Sequence, residues 1–156
     1  MTEERFEVAR VIEASPAAVF ALLRDPAGHV AIDSSGMLQS FTGAPVSAVG
    51  DTFVVHMDRE SLNDYPLGKY DVTVIFTRYV EDSAIEWTIE GTIKPPLRHL
   101  YGYRVEPHEL GALVTSYYDW SEIDEEWRGK GIFPVIPEAA LRATLGILAR
   151  TVSRTA

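Results

Sequence analysis

The chain has 156 residues, 46% of them hydrophobic, which is the composition of one globular domain. Its 14 basic residues are scattered and outnumbered by 23 acidic ones, so the net charge of −9 disfavours nucleic acids and anionic membranes as partners. Cysteine is absent, which excludes disulfides, cysteine-based zinc sites and a thiol nucleophile. No apolar run approaches the roughly 18 residues of a membrane span, and no signal peptide is visible. We therefore expect a soluble, cytoplasmic protein.

The N-terminal part predicts one strand and two short helices. Residues 5–13 alternate polar and apolar side chains and are rich in Val and Ile, which predicts a strand with two unlike faces. Ser15-Pro16 indicates a helix start, because Ser is a good N-cap and Pro a good first helical residue. Asp25-Pro26 ends this helix and is expected to begin a second one that reaches about Ile32.

Residues 37–121 are predicted to contain only strands and turns. Short separators with Gly, Pro, Asn63 and Asp divide apolar alternating segments, a pattern typical of an antiparallel meander. With the first strand, the predicted sheet has seven strands. The six predicted here are 37–41, 52–57, 70–79, 84–90, 99–106 and 112–120.

The C-terminal part predicts a loop and a long helix. Residues 121–133 form an acidic segment, which we interpret either as a flexible lid over a pocket or as a loop whose Trp127 packs under the next helix. An apolar stripe at helical spacing then predicts a helix over about 137–152. The stripe consists of Leu141, Leu145, Leu148 and Val152.

Seven segments along the chain resemble those of a known superfamily. They are 9–25 (ARVIEASPAAVFALLRD), 32–37, 49–53, 85–87, 101–107, 114–121 (VTSYYDWS) and 140–150. Together they resemble the START-like or SRPBCC superfamily, also called helix-grip, and more closely its polyketide cyclase/dehydrase-like branch. The resemblance covers essentially the whole chain, and no short motif in it marks a catalytic residue.

The resemblance implies an α+β fold as a single domain over residues 1–156. In this helix-grip fold, a seven-stranded curved antiparallel sheet wraps around a long C-terminal helix, and two short helices follow the first strand. It also implies a hydrophobic pocket between sheet and helix, with an entrance near the loop before that helix. The superfamily shares this cavity rather than one reaction.

Alternation along the strands places aromatic and apolar side chains on one face of the predicted sheet. If that face is concave, these side chains and the helix stripe form opposite walls of an apolar pocket, in which phenol groups orient a ligand. For each residue alone, the alternative is that it only fills the core. The ten predicted ligand-binding residues are Phe53, Met57, Trp87, Tyr101, Tyr103, Tyr118, Trp120, Leu141, Leu145 and Leu148.

The polar residues give weaker signals. No two of the four histidines have the spacing of metal ligands, so we expect no metal and no cofactor. They are His29, His56, His99 and His108. Arg10 is the best candidate for a cavity-facing cation, whereas Arg104 should point away from the aromatic face. Segment 33–36 is expected to be a turn that caps local amides rather than a pocket rim.

Three functions follow from these patterns. The first is binding of an apolar or aromatic small molecule, lipid-like or polyketide-like, by a monomer or a homodimer. The second is a polyketide cyclase, aromatase or dehydratase that acts on a poly-β-keto substrate, favoured if polar groups of shifted pKa face the pocket. The third is a co-chaperone-like interaction module, favoured by a filled core with a large exposed apolar patch.

Overall fold

A computed structural model describes residues 4–59, 68–91 and 95–155; the turn predicted around Asn63 lies outside these residues. Seven strands and four helices are seen in the described ranges. The strands are β1 Arg5–Ile12, β2 Leu38–Thr42, β3 Thr52–Asp58, β4 Lys69–Val80, β5 Ala84–Glu90, β6 Leu100–His108 and β7 Gly111–Asp119. The helices are α1 Pro16–Leu23, α2 Pro26–Ile32, α3 Glu125–Arg128 and α4 Glu138–Thr155.

All seven strands form one antiparallel sheet in the order β1-β7-β6-β5-β4-β3-β2. Strands β2 to β7 are therefore a meander, and β1 returns to pair with β7 along its whole length. With α4 packed against β1 and β7, and two short helices after β1, the expected helix-grip architecture is confirmed. Among the helices of the described residues, none has the length and apolar character to cross a membrane.

The two short helices form where the capping residues predict them. The Ser15 hydroxyl accepts a hydrogen bond from the Ala18 amide at 3.1 Å, and the Asp25 carboxylate accepts one from the Ala27 amide at 2.9 Å. Each helix has a Pro in its first turn. At Gly28, a Cβ atom would lie 1.9 Å from the Leu22 carbonyl oxygen, so only glycine permits this close approach of α2 to α1.

Helix α3 lies within the segment that the sequence predicts as a loop. The Asp124 side chain accepts a hydrogen bond from the Glu126 amide at 3.0 Å, two glutamates occupy the first turn, and Arg128 the last. These charges suit the helix dipole. A helix of four residues is too short to show apolar periodicity, so the sequence pattern did not reveal it.

The buried side chains fall into two clusters on the concave side of the sheet. The larger one contains Leu145, Leu148 and Val152 of α4 together with residues of α1 and most strands. The smaller one contains Tyr118, Trp120, Ile123 and Leu141. Helix α4 thus buries its predicted apolar stripe in both clusters.

Candidate functional site

A cavity of about 200 Å³ lies between the concave face of the sheet, α2 and the N-terminal half of α4. Its sheet wall is mostly apolar and comes from strands β2 to β7, with β3 to β6 contributing most of it. These wall residues include Val55, Met57, Val72, Val74, Trp87 and Ile89. Helix α2 contributes Ile32 and His29, and α4 contributes Leu141, Ala140 and Thr144. The cavity is partly open, and Ser34 is the most exposed residue that lines it.

The size of this cavity limits what it can hold. An engineered cavity of about 150 Å³ in another protein binds benzene. Sites for drug-sized ligands usually measure about 300–1,000 Å³. A space of about 200 Å³ with an open side therefore fits a molecule of one or two rings.

Five of the ten residues predicted to bind a ligand line this cavity. They are Met57, Trp87, Tyr101, Tyr103 and Leu141. Trp87 is central among them, because its ring stacks with both Tyr101 and Tyr103 at centroid distances of 5.9 Å. Burial raises the pKa of the Tyr101 and Tyr103 phenols, so both remain protonated and can donate hydrogen bonds at neutral pH.

The other five predicted residues lie outside the cavity wall. Phe53, Leu145 and Leu148 are at most 2% exposed and belong to the larger core cluster, where Phe53 packs against Phe76. Tyr118 and Trp120 stack on each other in the smaller cluster. The strand residues were predicted on the correct face of the sheet, the face that bears the cavity. At the β1–β7 side of the sheet, however, α4 and its preceding loop fill the space next to that face. The ligand contacts themselves stay a prediction.

A buried histidine in the cavity wall was not among the predicted site residues. His29 is 8% exposed, and its Nε2 atom lies 2.7 Å from the Leu23 carbonyl oxygen. Its ring lies 4.7 Å from Trp87 and 5.1 Å from Phe53, measured between centroids. Burial lowers the pKa of His29 to about 4. The sequence signal is the spacing of His29 and Ile32, three residues apart on one face of α2.

The turn at residues 33–36 caps local backbone, as expected, but the expectation that it is not a pocket rim is wrong, because Asp33, Ser34 and Ser35 line the cavity. The two Asp33 carboxylate oxygens accept hydrogen bonds from the Ser35 amide and hydroxyl and from the Leu38 amide. The Ser34 hydroxyl lies 2.9 Å from the Thr144 hydroxyl and 3.3 Å from the Ala140 carbonyl oxygen. The turn therefore also ties the rim of the cavity to α4.

A second buried histidine lies beside the cavity, in the smaller cluster. His99 is 1% exposed, and its Nδ1 atom lies 2.7 Å from the Tyr118 hydroxyl. Its Nε2 atom is buried without a hydrogen-bond partner in the described structure. Burial lowers the pKa of His99 to about 4. Because Tyr101 packs against both His99 and Tyr118, it separates this pair from the cavity wall.

We expect Tyr118→Phe to destabilise the protein by about 1–3 kcal/mol, because it leaves both His99 ring nitrogens buried without a partner. Affinity for an apolar ligand should change little, since Tyr118 does not line the cavity. Urea unfolding checks the first expectation and calorimetric titration the second, with Tyr103→Phe at the wall as the matched variant. Unchanged stability together with a tenfold weaker affinity would place Tyr118 at the ligand instead.

The arginines within the strands do not line the cavity. Arg10 pairs across from Val114 and is exposed, close to Gly146 of α4. Arg104 points away from the aromatic face, as expected, and its guanidinium lies 2.8 Å from the Glu7 carboxylate. The hydrogen bonds from Arg104 and Arg5 lower the pKa of Glu7 to about 2. Glu7 and Arg104 thus link β1 to β6 on the convex side of the sheet.

The segment before α4 is held by Trp127 and Phe133. The Trp127 indole N–H donates a hydrogen bond to the Pro95 carbonyl oxygen at 2.8 Å, and Trp127 belongs to neither buried cluster. Phe133 packs edge-on against His99, and Ile136 lines the cavity. The mobility of this segment as a lid stays a prediction. Within the described residues, no group of three or more His, Asp or Glu side chains could hold a metal ion.

No family model matches the sequence, and no curated protein matches it. Solved structures do match over nearly the whole chain. Protein CV1439 from Chromobacterium violaceum shares 16% identity with a TM-score of 0.68, covering 96% of each chain. An AHSA1-like protein from Aeromonas hydrophila shares 16% identity with a TM-score of 0.62, covering 97% of this chain and 93% of that one.

A third match is the Aha1 dimer from Colwellia psychrerythraea, with 15% identity and a TM-score of 0.61 over 97% of this chain and 96% of that one. At these identities, the likeness shows that the chain shares the fold of these proteins. The helix-grip fold expected from the sequence is therefore supported by both its own topology and its structural neighbours.

Proposed function

We propose that the chain binds a small neutral aromatic or apolar molecule in the cavity between the sheet and α4. The observation that carries this proposal is an apolar space of about 200 Å³ beside the buried core cluster. Protein interiors contain few voids larger than a water molecule. The cavity is partly open, so without a ligand it exposes its largely apolar walls to water. A bound apolar ligand displaces that water and buries these walls.

The size of the cavity favours a compact ligand. A molecule of one or two rings fits about 200 Å³, whereas a lipid chain or a folded poly-β-keto chain needs a larger cavity volume. The ligand class proposed is therefore the small end of the apolar and aromatic molecules that the sequence suggests.

The charges around the cavity favour a neutral ligand. Asp33 is the one charged side chain among the described lining residues, and its carboxylate oxygens already accept hydrogen bonds from the local turn. An ionic ligand would lose its hydration without gaining a partner of opposite charge. The net charge of −9 adds to the unfavourable energy of an anion.

A polyketide cyclase-like activity is the second candidate. It is favoured by one observation, the buried His29 imidazole of lowered pKa in the cavity wall. The phenols of Tyr101 and Tyr103 could donate hydrogen bonds to substrate oxygens. No Arg or Lys is among the described lining residues to polarise a carbonyl group, so binding remains the better-supported function.

Calorimetric titration with indene, a two-ring hydrocarbon, tests the proposal. Burial of roughly 200 Å² of its surface at about 25 cal/mol per Å² corresponds to about 5 kcal/mol. We therefore expect a dissociation constant on the order of 0.2 mM with a stoichiometry of one.

A matched pair of variants locates the site. Ile89→Trp adds a large ring on the cavity face of β5, and we expect it to abolish indene binding. Ile75→Trp makes the same change on the opposite face of the neighbouring strand β4 and should bind indene as the wild type does. Absence of binding to the wild type, or equal binding by both variants, would contradict the proposed function.

A further inference from the structure

His29 presents an unused hydrogen-bond acceptor in an apolar wall. A carbonyl oxygen can only accept, so the 2.7 Å contact with Leu23 requires the proton on Nε2. With the pKa lowered to about 4, the ring is neutral at pH 7. The other ring nitrogen, Nδ1, therefore carries a lone pair and no proton.

This Nδ1 atom faces open space. It makes no hydrogen bond in the described structure. Within the described chain, Nε2 of His99 is the only side-chain nitrogen or oxygen that both lacks a partner and is fully enclosed. Nδ1 of His29 therefore keeps some accessible surface. Since the residue is 92% buried and lines the cavity, the cavity is the space that Nδ1 faces.

The surroundings of Nδ1 offer it no protein partner. The rings of Phe53, Phe76 and Trp87 lie with centroids 5.1, 6.1 and 4.7 Å from the imidazole. A polar atom in such a wall is unfavourable unless a donor reaches it. A donor on a molecule within the cavity supplies what the protein does not.

We propose that His29 is a specificity-determining residue whose Nδ1 accepts a hydrogen bond from a neutral aromatic ligand with one N–H or O–H donor, such as an indole or a phenol. This inference rests on the proposed function, because it needs a ligand in the same cavity. It adds a chemical requirement that shape and hydrophobicity alone do not impose. A site built to bond a donor discriminates against the analogue that lacks it.

Two probes of nearly the same shape separate this requirement from hydrophobic binding. Indole carries an N–H donor, and indene does not. Without an acceptor in the wall, the more apolar indene binds more tightly. With Nδ1 as the acceptor, we expect the wild type to bind indole at least about fivefold more tightly than indene, as measured by calorimetric titration.

His29→Leu removes the acceptor and retains an apolar side chain. We expect this variant to bind indene and to reverse the preference, so that indole becomes the weaker ligand. An unchanged preference for indole in His29→Leu would overturn the proposal. If the wild type binds neither probe, the proposed function fails; if it binds indene at least as tightly as indole, only the role of His29 fails.

A second measurement needs no variant and so does not depend on the folding of His29→Leu. In protein labelled with ¹⁵N at histidine, the unprotonated ring nitrogen of His29 should shift upfield when indole binds and stay in place when indene binds. A signal that indole leaves unmoved at saturation would overturn the proposal. If the signal shifts equally with both probes, the shift reflects a displaced water molecule and not a hydrogen bond from the ligand. That result would also overturn the proposal.

Discussion

Between pH 7 and pH 5, the free energy of unfolding should fall by about 4 kcal/mol. The cause is the burial of His29 and His99, which lowers the pKa of each from 6.5 to about 4. Between these values the unfolded chain binds protons that the folded chain does not, so stability decreases as the pH falls. At pH 5 each histidine accounts for about 2 kcal/mol, since one pKa unit corresponds to about 1.4 kcal/mol.

The pH window is set by the direction of each shift. A folded-state pKa below the unfolded one gives full stability above pH 6.5, with loss as the pH falls towards about 4. Glu7, whose pKa is lowered to about 2, contributes above its usual pKa of 4.5 and loses that contribution only at lower pH. It therefore does not affect the change between pH 7 and pH 5.

Urea unfolding at several pH values measures this effect. The control is His99→Gln, in which one of the two buried imidazoles is absent, so the slope between pH 7 and pH 5 should be about half that of the wild type. Equal slopes in both proteins, or a stability that is constant over this range, would contradict the burial of these two rings.

Leu145→Asp should prevent folding. Leu145 is 1% exposed in the larger core cluster, where α4 packs against the sheet, and the described members of that cluster are apolar or aromatic side chains that cannot neutralise a carboxylate. Burying an unpaired charge costs several kcal/mol, a large share of the 5–15 kcal/mol that stabilises a typical domain. The expected result is loss of the cooperative thermal transition in circular dichroism.

Two controls separate burial from other effects of the substitution. Ala143→Asp introduces the same side chain at an exposed position two residues earlier in α4 and should change the melting temperature little. Leu145→Met conserves the volume and should cost less than about 1.5 kcal/mol. A folded, cooperatively melting Leu145→Asp protein would be incompatible with this placement of α4.

The strands and their faces could be predicted because their signals are local. Alternation assigned Met57, Trp87, Tyr101 and Tyr103 to one face, and all four line the cavity. The stripe from Leu141 to Val152 predicted which side of α4 is buried, and the structure buries it. Period 2 and period 3.6 are properties of the backbone, so they are visible in one sequence.

The extent of the cavity could not be predicted. Alternation predicts to which face of the sheet a side chain points, but not how far the cavity extends along that face. Tyr118 and Trp120 share the cavity face, but Phe133 and Ile136 from the segment before α4 pack against their cluster. Leu145 and Leu148 follow Leu141 on one stripe, yet they meet core side chains where Leu141 meets open space. These differences depend on contacts between distant segments.

The role proposed for His29 could not be predicted for a similar reason. Its free nitrogen is defined by the Leu23 carbonyl oxygen at the end of α1, and its orientation by the close approach of the two helices at Gly28. Neither contact has a sequence pattern of its own. A histidine on a seven-residue helix suggests many roles until its neighbours are known.

The cavity holds its own spectroscopic reporters, because Met37 and Met57 both line it. In protein labelled with ¹³C at the methionine methyl groups, saturating indene should give intermolecular nuclear Overhauser effects between its ring protons and the methyl groups of both residues. Neither methyl group showing such an effect, with both signals unmoved at saturation, would contradict ligand binding between the sheet and α4.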